Sequence, residues 1–273
     1  MRCPICHEPF RLDQRRVICG AGHSFDVARQ GYVNLIATGT PTGTADTAAM
    51  VAARERFLAA GHFARLAELI GRVAVERSAP QHPGIVVDLA GGTGYYLAAV
   101  LDRLVGRVGL CLDLSTPALR RAARAHPRGA ALGADTWLRL PIATHVATTV
   151  LSVFGPRNAA EIERILAPHG LLITASPLPE HLHQLVGPLG MIGIDPHKGQ
   201  RQAATFERFQ SVGSDVLTYE LSLDHDDAAA AVAMGPSAVH VDAATLASRI
   251  QALPDPVAVT VAVQVTTYAP PDH

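Results

Sequence analysis

Lysine is almost missing from this 273-residue chain: Lys198 is the only one, and nearly all the other basic residues are arginine. Charge of either sign is sparse, at 17% of residues, and the formal net charge of -1 gives no global sign of a nucleic-acid partner. Apolar residues make up 48%, yet no uninterrupted apolar run reaches the roughly 18 residues that a membrane span needs. Together these features exclude a membrane protein and a disordered, highly charged chain, and they point to a globular protein. The amino terminus runs directly into a cysteine-bearing turn, so no signal peptide and a cytoplasmic, reducing location are expected.

Cysteine is scarce as well, with four in the chain, and three of them stand within the first nineteen residues. The stretch CPICHEPFRLDQRRVICGAGH spaces them as Cys3-x2-Cys6, then Cys19-x3-His23. Tetrahedral zinc takes four soft or borderline ligands, presented in close pairs on tight turns. The Gly-Ala-Gly between Cys19 and His23 lets backbone amides approach the thiolates. The alternatives are a disulfide with one thiol left over, or plain buried apolar residues. Three cysteines do not pair evenly, and nothing else suggests secretion, so zinc fits better. His7 could substitute as a ligand, but one turn could hardly aim both it and Cys6 at the metal. Cys111, in the apolar run GLCLDL, reads as core.

Residues 1–36 read as short β pieces around the metal, 37–78 as a linker (TGTPTGT, 38–44) with two helices, and 79–273 as a catalytic domain. From Gly84 onward, strands and helices alternate. GIVVDLA is a continuous apolar run suited to a strand buried on both faces, followed by strands at VGLCLDL, near Ala131, at HVATTVLSVF and at GLLITAS. Helices are expected from about Tyr95, from Ser115 and over Asn158–Leu166. That order specifies an α/β fold with a doubly wound parallel sheet. Beyond Pro177 helices are expected, then a last strand at AVTVAVQVTTY.

The loop in VVDLAGGTGYY limits the ligand. A phosphate-binding P-loop would need Lys-Ser or Lys-Thr after the glycines, where Tyr95-Tyr96 stands, and the dinucleotide fingerprint would need glycine at Leu97. The pattern that fits is acidic-x-small-x-Gly-x-Gly, formed by Asp88, Ala90, Gly92 and Gly94. It resembles the first motif of class I S-adenosylmethionine-dependent methyltransferases, a Rossmann-like fold. Asp113 ends the next strand and is placed to accept both ribose hydroxyls, and Asp135 follows the third strand, placed to meet the adenine amino group. Each carboxylate taken singly could instead be a helix cap.

Zinc module and methyltransferase core together resemble the large-subunit ribosomal RNA guanine-N1 methyltransferases, the RlmA and tylosin-resistance group. The resemblance runs from end to end: CPxC with C-x3-H, FDVARQGYVNL, AAGHF, GGTGYY, SVFGPRN, SPLPEHL and MGPS. It implies zinc on Cys3, Cys6, Cys19 and His23. It implies S-adenosylmethionine contacts at Phe63, Tyr96, Leu97 and His181, beside those of the glycine motif. Phe63 departs from the tyrosine common in the family. The implied substrate is a guanine in a hairpin loop of 23S ribosomal RNA, methylated by a homodimer, with macrolide resistance of the tylosin type as a biological role. Asp195, His197 and His62 are candidate bases for the guanine N1 proton, and Arg157 and Asn158 candidate contacts to the base. The arginines at 11, 15, 16, 29, 54 and 56 offer local phosphate-binding patches, whereas those at 120, 121, 124 and 128 read better as a solvated helix face. Two rival readings are a small-molecule methyltransferase with a structural zinc, and a nonenzymatic module that binds zinc and cofactor.

Overall fold

The computed structural model describes residues 1–37, 39–41, 43, 45–78, 82–195, 198–235 and 242–271. Of the sequence expectations, His197 and part of both the 38–44 linker and MGPS lie outside them. The chain begins with a three-stranded antiparallel sheet of β1 (Phe10–Asp13), β2 (Arg16–Cys19) and β3 (Ser24–Asp26). Next, β4 (Tyr32–Asn34) leaves that module and pairs parallel with β7 (Gly129–Gly133), far along the chain. The amino-terminal module is therefore joined to the main sheet through its backbone. Val17 shares a core with Leu110, Leu132, Leu140 and Ile142, and Phe10 and Phe25 pack against the same core.

Two helices follow, α1 (Ala48–Ala59) and α2 (Ala64–Arg77). Thr47 caps α1, its hydroxyl accepting from the amide of Met50. The main sheet has eight strands among the described residues. Its parallel strands are β4 and β7 with β5 (Ile85–Leu89), β6 (Val108–Asp113), β8 (Ala147–Val153) and β9 (Leu166–Pro177). Helices α3 (Tyr95–Arg103), α4 (Thr116–Ala125) and α5 (Ala159–Ile165) connect them. Ser115 caps α4 through a hydrogen bond from the Ala118 amide, with proline in the first turn. Asn158 caps α5 rather than opening it. In the order β9-β8-β5-β6-β7, the chain runs outward from β5 to β7, then returns to β8 on the other side. The carboxyl edge where that order reverses is where open α/β sheets bind ligands.

The sheet is not parallel throughout. After α6 (His183–Leu189) and α7 (Lys198–Thr205), the fourteen-residue strand β10 (Gln210–Leu223) pairs antiparallel with β11 (Val257–Ala269), which in turn pairs antiparallel with β9. α8 (His225–Ala233) and α9 (Ala243–Gln251) lie between β10 and β11 in the chain. A helix-only reading of the segment after Pro177 misses β10. Leu217, Tyr219, Leu221 and Leu223 alternate with polar residues, the period of a strand with one buried face. β10 is an edge strand whose outer face mixes polar residues with the exposed Val212 and Val216, which blurs the apolar alternation.

Candidate functional site

The amino-terminal cluster assembles from local turns. The Cys3-to-His7 turn closes with the His7 amide donating to the Cys3 carbonyl (2.9 Å), and the second closes with Gly22 donating to Cys19 (3.0 Å). Pairing of β1 with β2 brings the two turns face to face. The four ligand atoms of Cys3, Cys6, Cys19 and His23 all lie within 4.8 Å of one another. Cys6 and Cys19 sulfurs are 3.6 Å apart, and the His23 Nδ1 is 3.4 Å from the Cys19 sulfur and 3.7 Å from that of Cys3. A tetrahedral zinc site with Zn–S near 2.3 Å and Zn–N near 2.0 Å spaces its ligands by about 3.6–3.8 Å. The cluster therefore has the size and donor set of a zinc centre, and Nδ1 is the imidazole atom that faces it. His7 is not part of it. Cys111 is fully buried in the core, where burial raises its thiol well above the ordinary range.

At the carboxyl edge of the sheet, Asp88 lies near the end of β5 and is 1% exposed. Ala90, Gly92 and Gly94 all take positive φ (51°, 57° and 78°), which turns the chain tightly from β5 into α3. Gly91 is needed for a different reason: a Cβ there would stand 2.5 Å from Asp88 Oδ2 and 2.7 Å from the Cys111 sulfur. Asp113 grips the loop from the next strand. Its Oδ2 accepts from the Gly92 amide (2.9 Å) and its Oδ1 from the Ser115 amide (2.8 Å). Each oxygen of that carboxylate keeps accepting capacity beyond these bonds.

Electrostatics mark the same place. Burial, and then the charge of Asp113, push the Asp88 carboxyl up to about 8, against the pull of a hydrogen bond from the Leu97 amide. Burial raises Asp113 as well, opposed by the Ser115 and Gly92 amides. Asp88 Oδ2 and the Tyr96 hydroxyl oxygen are buried without a hydrogen-bond partner. Two such orphans beside one glycine turn fit a site that a polar ligand completes. Leu97 contributes through its amide, while its side chain packs under Gly109 of β6. Asp135 is half-buried two residues past β7, its Oδ1 accepting from the Trp137 amide (2.9 Å).

Three rings close the other side. Phe63, 3% exposed, lies 5.8 Å from the His181 ring and 6.1 Å from Phe154, and Phe154 is 5.8 Å from His181. His181 Nδ1 accepts from the Ala262 amide (3.3 Å), which tethers that ring to β11. Phe154 was not foreseen. It follows β8 at φ 55°, and the next residue, Gly155, is pressed against the Leu89 carbonyl and Ala90. Asp46 was also missed, and Arg54 was read as part of a phosphate patch instead of as a neighbour of this loop. They pair with each other, the Ser115 hydroxyl donates to the Asp46 carbonyl (2.7 Å), and the Arg54 guanidinium stands over Gly92.

Other candidates are already engaged. His62 Nε2 is 2.7 Å from an Asp227 carboxylate oxygen, and Asp195 is ion-paired with Arg201 at 2.5 Å. Arg157 donates to the Ser176 hydroxyl (2.6 Å), and Asn158 to the Trp137 carbonyl (2.9 Å). Arg54 and Arg56 bond Met234 and Asp226 carbonyls, so these two arginines tie α1 to the α8 region rather than forming a phosphate patch. Arg128 caps α3, donating to the carbonyls of Leu101, Leu104 and Arg107. A groove of about 710 Å³ between α2, α3 and β10 is lined by Arg65, Arg72, Arg103, Glu68 and Asp215, and holds none of the residues singled out from the sequence.

Residues 1–38 match a family model for the zinc ribbon described as RlmA, N-terminal. The chain is 46% identical over 271 residues to the 23S rRNA (guanine(748)-N(1))-methyltransferase of Streptomyces fradiae, covering 99% of this chain and 96% of that one. A Micromonospora griseorubida relative is also 46% identical, over 287 residues, 99% of this chain and 97% of its own. Among solved structures, the Bacillus subtilis YcgJ protein superposes with a TM-score of 0.53 at 10% identity, over 75% of this chain and 98% of that one, a likeness of fold alone.

Proposed function

Because this chain belongs to the 23S ribosomal RNA guanine-N1 methyltransferases, we infer that it transfers a methyl group from S-adenosylmethionine to N1 of a guanine in that RNA. The observation that carries this inference is a single match at 46% identity running through both the zinc ribbon and the glycine-loop edge. The residues present suit the cofactor. Asp113 has the accepting capacity for ribose hydroxyls, we assign Asp135 to the adenine amino group, and Asp88 and Tyr96 offer unsatisfied polar atoms. Gly92 and Gly94 supply the tight left-handed turn, Gly94 packed against Ala122 and Ala125 of α4, and we assign Phe63 and His181 to the far side of the cofactor. Bound there, S-adenosylmethionine supplies a methyl group already activated on a sulfonium.

Guanine N1 carries a proton and lies on the pairing edge of the base. The protein must hold the base outside a stem, align N1 and accept that proton. A hairpin loop presents such a base, and we extend the proposal to that target, to a homodimer in the cytoplasm and to tylosin-type resistance as the role. No helix among the described residues is long and apolar enough to cross a membrane. The divisions 1–36, 37–78 and 79–273 are proposed as zinc-binding RNA-recognition module, connecting helices and methyltransferase domain, with β4 reaching from the first into the sheet of the third.

The test uses labelled S-adenosylmethionine and 23S RNA from cells lacking the modification. A primer-extension stop at one guanine, absent without the protein, is the expected result. Label that enters small molecules but never RNA would instead favour a small-molecule methyltransferase, and cofactor binding without turnover a nonenzymatic module.

A further inference from the structure

The loop between β7 and β8 is held rigid by its backbone while its largest side chain faces solvent. From α5, Asn158 donates to the Trp137 carbonyl (2.9 Å). The Glu161 carboxylate accepts from the Leu140 amide (2.7 Å), and Arg164 donates to the carbonyls of Leu140 (3.1 Å) and Ile142 (2.8 Å). Asp135 holds the Trp137 amide, and the Arg2 amide of the zinc ribbon donates to the Pro141 carbonyl (2.8 Å). Five residues thus pin four positions of the loop, Trp137, Leu140, Pro141 and Ile142. Leu140 and Ile142 turn inward and are about 2% exposed, yet Trp137 is 64% and Leu138 57% exposed. Trp137 is the sole tryptophan of the chain.

A lone exposed apolar residue is ordinary. An indole on a loop fastened at this many points is different, because the entropy of ordering the platform has been spent in folding. Its neighbours choose the partner. Arg139 is exposed beside it, Arg2 is half-buried at the junction with the zinc ribbon, and Glu161 is neutralised by Arg164 at 2.7 Å. An exposed indole with an exposed arginine two positions on suits an unpaired nucleotide, with the base on the ring and the phosphate on the cation. Location agrees: Trp137 follows Asp135 at the cofactor edge, and the loop ends against the zinc ribbon.

We propose that Trp137 is a stacking platform for an unpaired base of the RNA substrate, on a path from the zinc ribbon to the methyl-transfer edge. The proposal rests on the RNA-methyltransferase reading above. It makes Trp137 a substrate-positioning residue whose contribution is to RNA affinity.

Having one tryptophan lets the intact, zinc-loaded chain report on itself. The probe is a synthetic RNA hairpin spanning guanine 748 of 23S RNA, the position in the name of the Streptomyces fradiae relative. Titration of the hairpin should quench the Trp137 emission in a salt-sensitive manner. The same strand annealed to its complement, and S-adenosylhomocysteine alone, should leave most of the emission. Trp137→Ala should raise KM for the hairpin about tenfold, the scale of one lost base–aromatic stack. Its effect on kcat and on S-adenosylhomocysteine affinity should be small, and Trp137→Phe should recover most of the loss. Hairpin binding seen by gel shift without any change in emission would overturn the proposal. So would full quenching by S-adenosylhomocysteine with no further change on adding RNA, which would make the indole a cover for the adenine. These wild-type readouts decide the matter even if Trp137→Ala folds poorly. A wild-type chain that never methylates 23S RNA would sink the enzymatic reading itself, whereas methylation with an unresponsive indole would sink only the stacking role.

Discussion

The zinc ribbon and the cofactor edge are built in opposite ways. The four metal ligands span twenty-one positions, from Cys3 to His23, and two local turns with one hairpin bring them together. The proposed cofactor edge draws Asp46, Phe63, Asp88, Asp113, Asp135, Phe154 and His181 from separate elements along about half the chain. Among the described residues the ribbon adds only Val17 to the shared core, with Phe10 and Phe25 packed against it, so the zinc proposed for it would supply much of its stability. The edge stands on a continuous hydrophobic sheet. A short-range site is written in residue spacing, whereas a long-range site is written in the order of strands.

Losing the metal should give the largest effect. Cys19→Ser, or extraction with a strong chelator, removes a ligand set whose binding energy in small zinc modules is on the order of 10 kcal/mol. Bound zinc measured by atomic absorption should fall from one per chain to near zero, and protease should then cut within residues 1–36 while the sheet keeps its circular dichroism. If the ribbon stayed protease-resistant without zinc, the contrast drawn here would fail.

The buried carboxyl of Asp88 should produce the next effect, as a pH dependence. Its folded value of about 8 lies above the ordinary 3.8, so the folded chain keeps a proton that the unfolded chain has released. This stability is full below about pH 4, declines as pH rises and is gone by about pH 8. Thermal melts of the cofactor-free protein at pH 5 and pH 8 should differ by several degrees, and Asp88→Asn should flatten that difference. An unchanged slope in the variant would assign the dependence to other groups.

Gly91→Ala should cost less, about 1–3 kcal/mol, since the new methyl group must displace Asp88 or Cys111. Calorimetry should show S-adenosylhomocysteine binding weakened about tenfold or more with zinc content unchanged, which separates the two regions cleanly. Phe63→Tyr should be the mildest, under about 1 kcal/mol, because the ring keeps its contacts with Phe57, Phe154 and His181. A change in affinity much beyond threefold would mean the added hydroxyl meets the ligand or a polar wall.

Much of the parallel half of the sheet was legible. Buried parallel strands read as unbroken apolar runs, and Ser115 and Asn158 stand at the helix starts they cap. The zinc ligands were legible for the same reason, since short spacing limits the geometry. Of the antiparallel pair, β11 was read as the last strand but β10 was not: it is half-exposed, so its period-2 signal competes with the residues between. Phe154 carried a weak signal in the glycine after it. Asp46 carried none, and Arg54 was legible only as a basic residue, because its place over Gly92 comes from α1 packing against α4 and α8.

The sequence by itself determined which chemistries were available: three thiols and an imidazole at ligand spacing, and glycines where a strand must turn without side chains. Tertiary structure alone decided which distant groups meet, placing an arginine from α1 over the glycine loop and threading β4 into a sheet begun fifty residues later. The physical reason is range. Covalent connection constrains neighbours within a turn or hairpin, while groups from separate elements meet only after burial of the apolar faces has set how those elements pack.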